Sequence, residues 1–275
     1  MANPVVRSQV VSIGELLLSG VFAPANGQRD YCWKKPRQTA LLEDLVSAFQ
    51  EFGFDTDTES DSAIAEAESG ADGETPFALA ERDPGIDESA PLSLLGTVVI
   101  YPGETTFGIY DGLQRVTTLV VLFAVLRDLL GARGRDEVNP LLTTDDRKFR
   151  LDMTMKHDTL KADVLTPGRT TKRYRPLPGI TEAGERLRDC VGVIRDKLKD
   201  WDEARLLAFA AFVRDQALVS VMQISDRRLA GRAFVNININ NVPLKPEEVL
   251  KGQLIDLAQT AAPDIEDPEG RILFV

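Results

Sequence analysis

Apolar residues recur along the chain in two rhythms, one helical and one strand-like, and the switches between them divide it into elements. Leu41, Leu42, Leu45, Val46 and Phe49 fall at helical spacing and predict an amphipathic helix that runs up to a polar stretch near residue 51. Residues 94–101 and 107–110 are β-rich and are separated by Pro102-Gly103-Glu104-Thr105-Thr106, which reads as an antiparallel hairpin. From Gln114 the chain is apolar for too long to be a strand and is bounded by Gly112 and Gly131, so a mostly buried helix is expected. Leu187, Cys190, Val191, Ile194 and Leu198 form a further helical stripe, as do Leu206, Leu207, Ala210 and Val213. Residues 217–224 read as a strand and residues 226–236 as a helix, while Pro246 suits the first turn of a last helix through Leu257. Near the start, Ser12-Ile13-Gly14-Glu15 has the form of a capping box, predicting a short helix through Leu18 that Gly20 ends. No internal repeat is visible. These elements predict an α+β fold, with a small sheet near the N-terminal half and a mainly helical second half.

Composition narrows the class. The 275 residues are 43% hydrophobic and 27% charged, ordinary globular usage. Two cysteines, Cys32 and Cys190, and a single histidine leave no parts for a zinc finger, a disulfide scaffold or a His-dependent metal site. A reducing, cytoplasmic setting is expected, without a basic leader and apolar core at the N-terminus and with no apolar run long enough to span a bilayer. The net charge of −11 argues at face value against a basic nucleic-acid surface. That average conceals a split, because thirteen acidic side chains and a single arginine, Arg82, lie between residues 51 and 93. With this segment set aside the chain is near +1. Its Ser, Ala, Gly and Pro content predicts a flexible acidic insertion at about 51–93, of which about residues 54–84 are expected to be dispensable for folding. The opposite bias occurs between residues 147 and 175, where Arg147, Lys148, Arg150, Lys156, Lys161, Arg169, Lys172, Arg173 and Arg175 outnumber three aspartates. That strip is a candidate for DNA phosphates, chiefly through Lys172, Arg173 and Arg175, with plain solvated surface as the alternative.

The most informative stretch is Phe107-Gly-Ile-Tyr-Asp-Gly-Leu-Gln-Arg-Val-Thr-Thr-Leu119, where a strand ends in an acid and a glycine just as a buried helix begins. Free amides at a helix start favour an anion, Gly112 lets a ligand approach the backbone, Arg115 can fork onto phosphate oxygens, and Thr117 and Thr118 can add hydroxyls. Asp111 can then hold a magnesium ion or orient a water. The residues alone leave a plain reading open, since Asp-Gly is a common turn and Thr a common cap. No Walker-type phosphate loop is present.

Residues Asp111-Gly112-Leu113-Gln114-Arg115-Val116-Thr117-Thr118-Leu119 closely resemble the D-G-Q-Q-R-x-T-T-L signature of the GmrSD-type restriction endonuclease N-terminal domain family, whose fold is related to ParB and sulfiredoxin. Gln28-Arg29-Asp30-Tyr31-Cys32-Trp33, followed by a helix bearing Asp44, resembles the family's early block, and residues 234–251 its late block. The resemblance spans residues 11–257. It implies that residues 1–135 are a ParB-like nucleotide-binding part carrying the acidic insertion, and that residues 136–275 are the mainly helical remainder of the same domain. It further implies nucleoside triphosphate binding and magnesium-dependent hydrolysis by Asp111, Gln114 and Arg115, with Asp111 on the metal. Gln28, Arg29, Gly112, Thr117 and Thr118 would then contact the nucleotide. In larger relatives such a domain is coupled to DNA cleavage by a separate nuclease domain or subunit. Leu113 departs from the signature, which has glutamine there, and so puts hydrolysis in question. Tyr31 and Trp33 read equally as core aromatics. Asn236, Asn238, Asn240 and Asn241 read as turn caps, and Lys251 as a solvated lysine. His157 stands among charged neighbours and is expected to be surface, so the chain lacks a histidine base for a nuclease of its own. Its last five residues, Arg271 to Val275, are apolar enough to suggest a cut from a longer protein or a covering partner. A ParB-like nucleic-acid-binding module without turnover and a scaffold for a nuclease partner are the competing functions.

Overall fold

The computed structural model describes residues 6–25, 27–51, 93–103, 105–153, 159–172, 174, 179–226 and 229–230. The acidic segment, His157, Arg173, Arg175, the asparagine run, Lys251, the helix expected from Pro246 and most of that expected over 226–236 lie outside the described residues.

Ser12 closes strand β1 (Val6–Ser12) and caps helix α1 (Ile13–Leu18). Its hydroxyl accepts the Glu15 N–H at 3.1 Å and its own N–H donates to the Glu15 carboxylate at 2.8 Å, which is the reciprocal box the sequence predicts. Strand β2 (Phe22–Pro24) follows, then helix α2 (Lys35–Glu51), whose buried Leu42, Leu45, Val46 and Phe49 follow the predicted stripe. Strands β3 (Ser93–Pro102) and β4 (Phe107–Asp111) form the predicted antiparallel hairpin. Helix α3 (Leu113–Leu130) is buried on almost every side, as its unbroken apolar run requires. Helix α4 (Ala132–Glu137), a π-helical segment at Leu160–Leu165, helix α5 (Glu182–Leu198) and helix α6 (Glu203–Asp215) lead to strand β5 (Ala217–Ile224).

The five strands form one mixed sheet in the order β1-β5-β3-β4-β2. The sequence places a strand at β5 but gives no sign of its neighbours. Coming after the helices, it inserts between β1, antiparallel, and β3, parallel. The sheet therefore draws an interior strand from the second half of the chain. Alternation along the strands sends Val98, Ile100, Phe107, Ile109, Val219 and Val221 to the face that packs on the helices. Val99, Tyr110 and Ile224 lie in a second cluster with Ala25 and Ala230. The larger cluster joins residues from α1 through β5 and crosses residue 135 without interruption. Phe49 of α2 meets Trp201, Phe209 and Phe212 with ring centroids 5.2–6.0 Å apart, fastening α2 to α6.

Candidate functional site

The turn from β4 into α3 forms the floor of a cleft of about 1050 Å³. Asp111, Gly112, Leu113, Gln114 and Arg115 line that floor, Gln28, Arg29 and residues 32–34 line one side, and α2 contributes Arg37, Leu41 and Asp44 at helical spacing. The start of β3, with Leu94 and Leu95, closes the opposite side. The early and central motifs, 82 residues apart between Cys32 and Gln114, thus share one cavity.

Three side-chain amides hold this arrangement. Gln28 donates to the Tyr110 carbonyl. Gln114 accepts the Cys32 N–H at 2.7 Å and donates to the Asp30 carbonyl at 3.1 Å, so both ends of its amide clip the 30–32 backbone to the start of α3. Gln38, fully buried, donates to the carbonyls of Trp33 at 2.8 Å and Arg186 at 3.0 Å, tying the same segment to α5. Between these clips Tyr31 turns into the core, its hydroxyl 2.9 Å from that of Thr118, and burial pushes that hydroxyl's pKa far up. Tyr31 is therefore a core aromatic, whereas Trp33 is half-buried and lines the cleft with the Arg37 guanidinium 6.0 Å from its ring.

Arg115 is fixed by β3. Its Nη1 donates to the Thr97 carbonyl at 3.1 Å, and its guanidinium lies over Gly96, where an added Cβ would sit 3.2 Å from Nη2 and 3.4 Å from Cζ. Gly96 has φ +98° and falls in the irregularity where the β3–β5 register shifts between Leu94 and Thr97. Burial pulls the Arg115 pKa down and pushes that of Asp111 up. Each is partly restored by the other's charge, and Asp111 also by the Gly112 N–H. The cleft thus concentrates Arg29, Lys34, Arg37 and Arg115 against Asp44 and Asp111. That excess of positive charge at amides opening an 18-residue helix suits a polyanion.

The residues expected at the site do not all line the cleft. Thr117 and Thr118 do not line the cleft. They lie on the core side of α3, where their hydroxyls donate to the carbonyls of Leu113 at 2.7 Å and Gln114 at 2.9 Å, one helical turn back. Gly112 lines the cleft, but a Cβ there would strike β3 at 3.0 Å from Val98 Cγ2 and 3.1 Å from the Thr97 carbonyl. With φ +86° its missing side chain serves the turn and its packing on β3 as well as any ligand. Leu113 is 2% exposed and belongs to the core. Lys172 is exposed and does not line the cleft. Elsewhere in the basic strip, Arg150 donates to the carbonyls of Pro140, Leu17 and Leu18, and Arg169 pairs with Asp163 at 3.3 Å, so both serve the fold itself.

Sequence reasoning missed Gly96, Lys34, Arg37, Leu94 and Leu95. A glycine inside a β-rich run marks a bulge, and Arg37, Leu41 and Asp44 at i, i+4 and i+7 mark one helix face, so both signals were available. Among the described residues no group of three or more His, Cys, Asp or Glu side chains is placed to hold a metal. Magnesium carried on a phosphate chain needs only one or two protein carboxylates, and Asp111 at the cleft floor fits that demand. Among the described residues no helix is long and apolar enough to cross a membrane. A family model described as GmrSD restriction endonuclease, N-terminal domain, matches residues 15–255. No curated protein matches the chain.

Proposed function

Since the chain belongs to the GmrSD restriction endonuclease N-terminal domain family and hence to restriction machinery, we propose that its cleft binds a magnesium–nucleoside triphosphate and hydrolyses it, as a cytoplasmic sensor acting on a separate nuclease. The carrying observation is the convergence of Arg29, Lys34, Arg37 and Arg115 with Asp111 on one cavity at the start of α3. A triphosphate brings three or four negative charges, which these cations offset, and the Arg115 fork matches phosphate geometry. Magnesium, when bound, neutralises phosphate charge and aligns the oxygens. On this reading Asp111 holds the metal. Arg115, held against β3 by Thr97, meets the phosphates without having to be ordered on binding.

One observation favours binding without turnover. The Gln114 amide is committed at both ends to the 30–32 backbone, and Leu113, apolar, offers no group to orient an attacking water. Measuring phosphate release across a nucleotide panel with magnesium, with and without modified DNA, tests the proposal. Magnesium-dependent release that Asp111→Ala abolishes is expected, and tight binding with no release would establish the second reading. Arg115→Ala is expected to weaken nucleotide affinity at least tenfold by calorimetry while keeping the fold; wild-type affinity in that variant would overturn the site.

A further inference from the structure

The cleft has an apolar side that phosphates do not explain. Trp33, Leu41 and Leu95 each pack one face on the main core and turn another toward the cavity, and Leu94 beside them is 65% exposed. A large aliphatic side chain this open, facing a half-buried indole across a cationic pocket, leaves apolar surface in water that a planar group between them would cover. The backbone that carries the indole is held in place, because Gln38 binds the Trp33 carbonyl, and the Cys32 N–H one residue earlier is held by Gln114. The Arg37 guanidinium already lies over the ring at 6.0 Å, the kind of flat cation that also stacks on a nucleobase. Phosphate-binding and base-binding chemistry thus adjoin at Gln114 and Arg115, with Trp33 on one side and β3 on the other.

We propose that Trp33, Leu41, Leu94 and Leu95 form the nucleobase subsite of this cleft, the base of a free nucleoside triphosphate stacking on the Trp33 indole while its phosphates meet Arg29 and Arg115. This rests on the triphosphate reading and extends it to the base. The subsite contributes through stacking, which every base can offer, so it adds affinity for nucleosides over bare polyphosphate.

The experiment uses the full chain with Trp201→Phe, which leaves Trp33 as the sole indole of the two in the sequence. Phenylalanine there keeps an aromatic ring among Phe49 and Phe209. Magnesium tripolyphosphate and non-hydrolysable magnesium–nucleotide analogues are titrated, following heat and Trp33 emission together. Tripolyphosphate is expected to bind with little change in emission, and nucleotides to bind on the order of tenfold more tightly and quench it. A further Trp33→Leu substitution, which keeps an apolar side chain against the core, is expected to bring nucleotide affinity down to that of tripolyphosphate and leave the latter unchanged. Equal affinities for the two ligands, nucleotide binding without quenching, or single-stranded DNA quenching where free nucleotides do not, each overturn the base subsite and leave the phosphate site standing. Binding of neither ligand overturns the triphosphate reading and the subsite with it.

Discussion

Gly112 and Gly96 both have positive φ, yet they serve different neighbours. Gly112 brings the β4–α3 turn against β3, and Gly96 opens room for the Arg115 guanidinium. Gly112→Ala adds left-handed strain to a 3.0 Å collision and is expected to lower stability by about 1–3 kcal/mol in urea unfolding. Gln114→Ala removes two hydrogen bonds, from the Cys32 N–H and to the Asp30 carbonyl, and is expected to cost about 1–3 kcal/mol, read from the denaturation midpoint. An unchanged midpoint would return Gln114 to a purely ligand-facing role. The pH dependence of Asp111 has a definite sign. Its pKa is raised above the ordinary 3.8, so its charged form weighs against the fold. Below 3.8 it is protonated in both states and carries no penalty, and stability is lost as pH rises through its raised value. Relative to Asp111→Asn, the wild type is therefore expected to lose stability between pH 4 and pH 7, checked by urea midpoints at both.

At the scale of elements, α3 carries a charged pair that its apolar pattern conceals. Arg127 and Asp128 have side chains only 1% and 2% exposed, 2.8 Å apart. Arg127 donates to the carbonyls of Leu165 and Val164, and Asp128 accepts from the N–H groups of Gly168 and Thr170 and from the Thr170 hydroxyl. These donors outweigh the upward push of burial and hold the Asp128 pKa below 3.8. Asp128→Ala leaves Arg127 buried without its counter-charge and is expected to cost about 3–5 kcal/mol, with faster amide exchange at Gly168 and Thr170 as a second readout. The elements themselves were legible because each follows one clear period: α2 from its stripe, the hairpin from Pro102-Gly103, α1 from the Ser12 box. The π-helical segment at Leu160–Leu165 was not legible, since its last two carbonyls are bound by Arg127, 37 and 38 residues away. At the cleft, Asp111 and Arg115 were legible as charged residues at element ends, and Arg29 through the resemblance of its block to the family's early motif. The inward turn of Thr117 and Thr118 was not, because Thr side chains at a helix start serve caps, ligands and back-bonding alike.

Across the whole molecule, the core does not respect the midpoint of the chain. Leu42, Val120, Leu187 and Val219 belong to one cluster, and β5 supplies hydrogen bonds to two strands from the first half. A fragment ending at residue 215 strips β1 of β5, the strand it pairs with among the described residues, and is expected to give no cooperative thermal transition, whereas the full chain is expected to melt in a single step. A sharp transition in the fragment would show that the first four strands suffice.

The insertion of β5 also sets a timetable for a newly made chain. Strand β1 leaves the ribosome about two hundred residues before its partner, an interval of roughly 10–40 s at 5–20 residues per second. Through that time the β1 edge, and from its own synthesis onward the facing β3 edge, lack the strand that joins them. Contacts of such long sequence separation are slow to close, so the sheet is completed late, after the helices between have had time to form. Chaperone demand during synthesis is therefore greatest before residue 224 emerges, and a pause introduced just upstream of β5 lengthens the vulnerable stage more than one placed after it.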